Sequence, residues 1–303
     1  MDCLVKAISS GMRIYAAVTT DLVNEGIKRH SCNPLAGAAL GRVMTGALLM
    51  AANLKNKEAL TVKFDGDGPL GKVTADAVPE GYVRGYILHP EAVLPLENGK
   101  LAVGKGIGQG LVTVTRFTGL KEPVTGSCEI YSGEIAEDLT RYLYISEQTP
   151  SSFGLGVLIG RDKKAEAAGG FAVQLLPDAG DKEIEKLERN LKELRPVSAM
   201  IKDGFGAREI IGEVLKGMEV NYLSETELKF RCRCSKRRTE DILLTLSHDD
   251  LAGLVQDGRA EVCCDFCGEK YLFSKDELIA ILNVSDELRR RKQVPVSFRK
   301  DVT

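Results

Sequence analysis

Cys232-x-Cys234 and, further along, Cys264-x-x-Cys267 set four thiols in two closely spaced pairs. Alternation along an extended segment turns both sulfurs of a Cys-x-Cys to one face, and a Cys-x-x-Cys turn followed by Gly268 folds two more around one point. Four thiolates converging in this way suit a tetrahedral site for a soft divalent metal, and Zn²⁺ is the expected ion. The same sulfurs are close enough for two disulfides to form once a metal leaves. The motif is therefore open to two readings, a structural staple and a redox switch.

Cys263 directly precedes Cys264 and competes with it as a ligand. Strand alternation turns Cys263 to the opposite face as a small hydrophobe, which assigns Cys264 to the site. Cys3, Cys32 and Cys128 stand alone in apolar segments and read as inert buried thiols. Arg231, Arg233, Lys236, Arg237 and Arg238 surround the first pair with positive charge. Cations stabilise thiolates, favouring metal binding and attack on an oxidant; a solvated basic loop, or one touching phosphates, has the same composition.

The 303 residues allow a large core plus a smaller module. With 44% hydrophobic and 28% charged residues and a net charge of -2, the composition is that of an ordinary globular protein, without the basic excess of a general nucleic-acid binder. Eight cysteines, half of them in one metal-like cluster, fit a reducing compartment, so a cytoplasmic location is expected. Met1-Asp2-Cys3-Leu4 opens no secretory signal.

The elements that must position these thiols follow from periodicity. Residues 3–20 alternate as two short strands, residues 21–29 form a helix capped by Thr20, and Pro34 opens a long apolar helix. That helix, 35–54, has bilayer-spanning length, but its glycines, alanines and central Arg42 mark it as a closely packed core helix. Residues 60–64, 72–77 and 82–86 read as an antiparallel meander, with further strands at 110–115, 124–130, 153–159 and 170–176. Ile135, Leu139, Tyr142 and Leu143 mark one more helix between them. This is an α+β pattern.

The expected domains are a core at 1–177, an amphipathic helical linker at 178–229 and a zinc-binding module at 230–303 ending in the basic tail Arg289-Arg290-Arg291-Lys292. In the linker, Ile184, Leu187, Leu191 and Leu194 form a stripe, and Ile210, Ile211, Val214 and Leu215 a second one. They cover something apolar, either permanently or as a removable lid. The last module has helices expected at 241–246 and 249–256, and a Ser274-x-x-Glu277 capping box opening another to Leu282. Its few large apolar side chains imply that metal ligation supplies much of its folding free energy.

Other motifs fail on context. Gly66-x-x-x-x-Gly71-Lys72 resembles a P-loop, but Val73 replaces the Mg²⁺-binding hydroxyl and a strand follows, so a hairpin turn is expected. Gly104-x-Gly106-x-Gly108-x-Gly110 runs into a strand and reads as a flexible loop. His30, His89 and His248 are scattered, with no nucleophile elbow or paired acid and base, so no catalytic residue is assigned.

The cysteine pattern, behind a charged helical linker and an α+β domain, resembles the redox-regulated 33 kDa chaperonins, a heat-shock holdase family. The segments Asp65-Gly66-Asp67-Gly68-Pro69-Leu70-Gly71, Tyr131-Ser132-Gly133-Glu134 through Ser146-Glu147-Gln148-Thr149-Pro150, and Ala168-Gly169-Gly170-Phe171 through Leu175-Leu176-Pro177 carry the resemblance along the chain. It implies a cytoplasmic, ATP-independent chaperone rather than an enzyme, inactive while reduced, with Zn²⁺ on Cys232, Cys234, Cys264 and Cys267. Oxidation would form Cys232–Cys234 and Cys264–Cys267 disulfides, release zinc and unfold the module and its linker. Unfolding clients would bind the exposed apolar surface, with the active protein a homodimer; no membrane or nucleic-acid partner is expected. Two rival classes are a zinc-ribbon adapter binding nucleic acid through residues 231–238 and the tail, and a thiol–disulfide oxidoreductase using Cys264-x-x-Cys267, which lacks the helix and βαβ context of thioredoxin-like enzymes.

Overall fold

The computed structural model describes residues 1–293 apart from Asn56 and Lys121; residues 294–303, including the end of the expected last module, lie outside the described residues. The alternating N-terminus forms β1 (Cys3–Ser9) and β2 (Met12–Val18), joined by a two-residue turn at Ser10 and Gly11, both at positive φ (41° and 75°). Helix α1 (Thr20–His30) begins one residue earlier than expected, and its cap is not local. Thr20 Oγ1 is engaged with the Ala168 backbone, while the Asp2 carboxylate accepts from the Asp21 and Leu22 amides at 3.1 and 2.7 Å. The first-turn donors are thus satisfied from the chain's start, a partner that local capping rules do not see.

Pro34 opens α2 (Pro34–Ala51), of which 89% is buried inside the protein. It passes the length and hydropathy test for a membrane span, yet it is the core helix that its small residues predicted. A Cβ on Gly41 would lie 2.7 Å from Val23 Cγ1, so the glycine is what lets α1 approach.

After α2 come β3 (Ala59–Gly66), β4 (Lys72–Ala77) and β5 (Tyr82–Ile87), the expected meander. The Gly104–Gly110 segment is not the expected loop: Val103–Ile107 forms the short helix α3, packed on the β3–β4 turn. Gly68 and Leu70 donate to the Ile107 and Gly106 carbonyls, and a Cβ on Gly66 would collide with Ile107 O at 2.0 Å. Then follow β6 (Gly110–Phe117), β7 (Val124–Glu129), α4 (Ala136–Glu147), β8 (Ser151–Ile159) and β9 (Ala165–Leu175).

The segment expected as linker folds as α5 (Asp181–Glu193), α6 (Val197–Lys202), α7 (Ala207–Val214) and β10 (Asn221–Glu227), then the two-residue β11 (Lys229–Phe230). Strand β10 extends one sheet to the order β10-β1-β2-β9-β8, and β11 joins the other, β11-β5-β4-β3-β6-β7. All neighbours pair antiparallel except β11 with β5. The apolar stripes of α5 and α7, with Val197 and Met200 of α6, cover Val5, Met12, Ile14, Phe171 and Val173 on the first sheet. Helix α2 packs against β8 and β9 of that sheet and β4 and β5 of the other. By compactness, Met1–Cys232 forms one unit and the chain from Arg233 a second.

The second unit holds α8 (Lys236–Leu243), α9 (His248–Asp257), the hairpin β12 (Arg259–Cys263) and β13 (Lys270–Ser274), and α10 (Lys275–Gln293). Helix α8 starts five residues earlier than its periodicity suggested, because Ser235 caps it by accepting from the Arg238 amide. Ser247 caps α9 and left-handed Gly258 ends it, as expected. Ser274 and Glu277 make the reciprocal capping box of α10, whose backbone runs on through Gln293 and absorbs the basic run 289–292. Among the described residues, the buried apolar cluster of this unit is small, Leu243, Leu251, Ala260, Phe273, Leu278 and Ile281, with partly buried neighbours such as Leu254, Val262 and Tyr271.

Candidate metal centre

The second pair of thiols is shaped by the turn between β12 and β13. The Cys267 and Gly268 amides both donate to the Cys264 carbonyl, at 3.2 and 2.8 Å, and the Cys264 amide donates to Glu269 O. Gly268 takes φ 70°, the left-handed conformation that reverses the chain while keeping both thiols on its inner side. The first pair follows β11 directly: Arg231 N donates to Val83 O, and Cys232 comes next in the chain.

The sulfurs of Cys232, Cys234, Cys264 and Cys267 all lie within 4.8 Å of one another, Cys267 buried and the others half-buried. None of the four is joined in a disulfide, and Cys234 and Cys267 are 3.4 Å apart. That is far beyond a disulfide bond of about 2 Å, and near the spacing of about 3.8 Å between sulfurs arranged tetrahedrally at about 2.3 Å from one ion. Four converging thiols without a competing disulfide are a donor set that fits a metal ion.

Two residues that sequence reasoning did not single out touch the sulfurs. Arg84 Nη1 donates to Cys232 Sγ at 3.5 Å, while its Nε and Nη2 hold Asp76 Oδ2 at 2.9 and 2.7 Å. Thr61 donates to the other Asp76 oxygen at 2.6 Å, so the carboxylate is fully engaged. Burial alone would lower the Arg84 pKa, but its bonds to Cys232 and Asp76 outweigh this and raise it. At the second thiol of the same pair, the Tyr271 hydroxyl donates to Cys234 Sγ at 3.1 Å, and that contact raises the phenol pKa. Arg84 lies too far along the chain to be read from a motif; Tyr271, just beyond Cys267 on β13, was within reach of one.

The basic residues noted in the sequence make other contacts. Arg231 stacks over the Tyr82 ring at 4.7 Å, Arg238 donates to Arg233 O, and Lys236 pairs with Glu277. Cys263 sits on the exposed face of β12, opposite Lys270, and is not a packed hydrophobe. Cys32 and Cys128 are buried and Cys3 is half-buried; burial raises all three thiol pKa values, that of Cys32 to about 12.

Comparison with known proteins shows the family. The family model described as "Hsp33 protein" matches residues 2–274. A protein named 33 kDa chaperonin from Desulforamulus reducens is 46% identical over 290 residues, covering 94% of this chain and 99% of its own. The 33 kDa chaperonin of Bacillus subtilis is 46% identical over 283 residues, covering 92% and 97%. A crystal structure of the 33 kDa chaperonin (heat shock protein 33 homolog) from Thermotoga maritima superposes with a TM-score of 0.87 at 33% identity, over 94% of this chain and 99% of that one. On the family model and these near-full-length matches, the chain belongs to the Hsp33 family.

Proposed function

We propose that this chain is a redox-regulated, ATP-independent holdase chaperone with Cys232, Cys234, Cys264 and Cys267 as both its zinc ligands and its switch. The observation that carries the reading is the convergence of these four thiols within 4.8 Å, three of them from a unit whose own apolar core is very small. The names of the relatives, 33 kDa chaperonins, support the chaperone role.

Bound Zn²⁺ would supply a four-point crosslink that holds the thiolates deprotonated and the small unit folded. The Arg84 guanidinium and the Tyr271 hydroxyl orient Cys232 and Cys234 and share their charge. Oxidation withdraws the sulfurs from this ligand set: four thiolates, two peroxide molecules and four protons give two disulfides and four waters. The pairing Cys232–Cys234 and Cys264–Cys267 follows the family resemblance and joins the sulfurs on the shortest chain tethers. With its crosslink gone, the small core no longer offsets the conformational entropy of the unit. Loosening that spreads to α5–α7 uncovers Val5, Met12, Ile14, Phe171 and Val173, an apolar sheet face able to hold unfolding clients. Eight reduced cysteines fit a cytoplasmic resting state, and the uncovered face suits association of the oxidised chain into a homodimer.

The test follows zinc release, thiol loss and suppression of client aggregation together, with and without peroxide, and maps the disulfides by mass spectrometry. Zinc loss and holdase activity should rise in step. Retained zinc, or holdase activity indifferent to peroxide, would overturn the switch; a Cys234–Cys267 bond would overturn the pairing.

A further inference from the structure

Strand β11 is an unusual partner for the sheet that it joins. It is two residues long, pairs parallel to β5 in an otherwise antiparallel sheet, and occupies that sheet's edge. Tyr82 O accepts from Val78 N, so the even-numbered residues of β5 face β4 and the odd-numbered ones face outward. Lys229 N donates to Gly81 O at 3.0 Å and Arg231 N to Val83 O at 2.8 Å. The next outward carbonyl, Gly85 O, is met by His30 Nε2 at 2.9 Å, where the ladder stops.

Side chains add a little to this hold. Phe230 is half-buried against the core under the Arg29 guanidinium, at 5.3 Å, and Arg231 lies over Tyr82. Immediately after them, Cys232 receives the Arg84 contact. A short run of the chain's own backbone therefore sits on a sheet edge, pinned at its far end by a thiol of the metal centre. Two residues are well below the usual strand length, so their own pairing contributes little to holding the segment in place.

We propose that, in the oxidised chain, the outer edge of β5 from Gly81 to Val83 is a docking site for extended apolar segments of unfolding proteins, which replace β11. This rests on the holdase reading above. Drawing Cys232 into a disulfide, with its electrons passing to peroxide, removes the sulfur that Arg84 holds and frees the segment to leave. The vacated edge offers the Gly81 and Val83 carbonyls and the Val83 amide to any sequence, plus the apolar seat of Phe230. Main-chain pairing with one apolar side-chain seat selects unfolded, extended, hydrophobic polypeptide without selecting its sequence. The chain's own Lys229-Phe230-Arg231 shows the orientation such a segment takes, parallel to β5.

Hydrogen–deuterium exchange with fragment-level resolution tests this on the full chain in three states: reduced with zinc, oxidised by peroxide, and oxidised with carboxymethylated α-lactalbumin as a permanently unfolded probe. Oxidation should speed exchange at least tenfold in both 81–86 and 228–232; the probe should restore protection at 81–86 while 228–232 stays open. Persistent protection of 228–232 after oxidation, or an 81–86 segment left open in the probe complex, overturns the docking site. Zinc release and aggregation suppression, read in the same samples, separate the two readings. If zinc leaves and clients are held with the edge left open, only the docking site fails; if zinc stays and nothing is held, both fail.

Discussion

At the level of single residues, each thiol's environment sets its chemistry. Cys32 lies in the core with its pKa pushed up to about 12 by burial, whereas Cys263 is exposed on β12. At pH 8 with zinc bound, an alkylating reagent should therefore modify Cys263 first and leave Cys32 untouched until the chain unfolds, as peptide mass spectrometry would record. Faster labelling of Cys32 than of Cys263 would contradict the burial. The Tyr271 hydroxyl at Cys234 Sγ would be an outer partner of the proposed metal ligand, and losing such a partner typically weakens a metal site by about 10–100-fold. Tyr271→Phe should keep the fold and lose zinc to a competing chelator roughly tenfold more readily; unchanged retention would reduce the contact to a bystander. Arg84 offers no equally clean substitution, because removing it also leaves the Asp76 carboxylate half-buried without its cation.

Among the elements, α5–α7 join a strong apolar stripe to weak intrinsic helix stability. Leu187, Ile210, Ile211 and Val214 are buried on the first sheet, while the helices themselves are short and strongly charged on their outer side. Gly212 stands inside α7, where an added Cβ would meet nothing within 4 Å. Gly212→Ala should therefore stabilise α7 by about 0.5–1 kcal/mol through helix propensity alone. If the cover must loosen for activity, the same variant should need more oxidant or heat to suppress client aggregation. Urea unfolding checks the first effect and a peroxide titration the second; a stabilised variant with an unchanged threshold would mean that α7 stays in place.

For the whole molecule, stability is divided unevenly. The unit of residues 1–232 buries α2 between two sheets in a continuous core, whereas the unit from Arg233 relies on a handful of buried side chains and the thiol cluster. Chelating the metal under reducing conditions should abolish amide protection in residues 236–290 and leave that of α2 and the strands around it intact. Calorimetry should then show the loss of one transition and the survival of the other. A protected, folded second unit without metal would show that its core suffices.

The sequence by itself determined the α+β class, the thiol cluster and most elements of the first unit. Those features depend on local periodicity, on breakers such as Pro34, and on cysteine spacing. Caps inside the small unit, at Ser247, Gly258 and Ser274, were equally legible because their partners lie within a few residues. The tertiary structure alone decided what depends on distant partners. It placed Asp2 on the α1 amides, packed Gly66 and Gly68 against α3, and turned part of the supposed linker into edge strands of both sheets. It also brought Arg84 to Cys232, two residues 148 positions apart that no spacing rule relates, because a sheet edge joins whatever backbone reaches it.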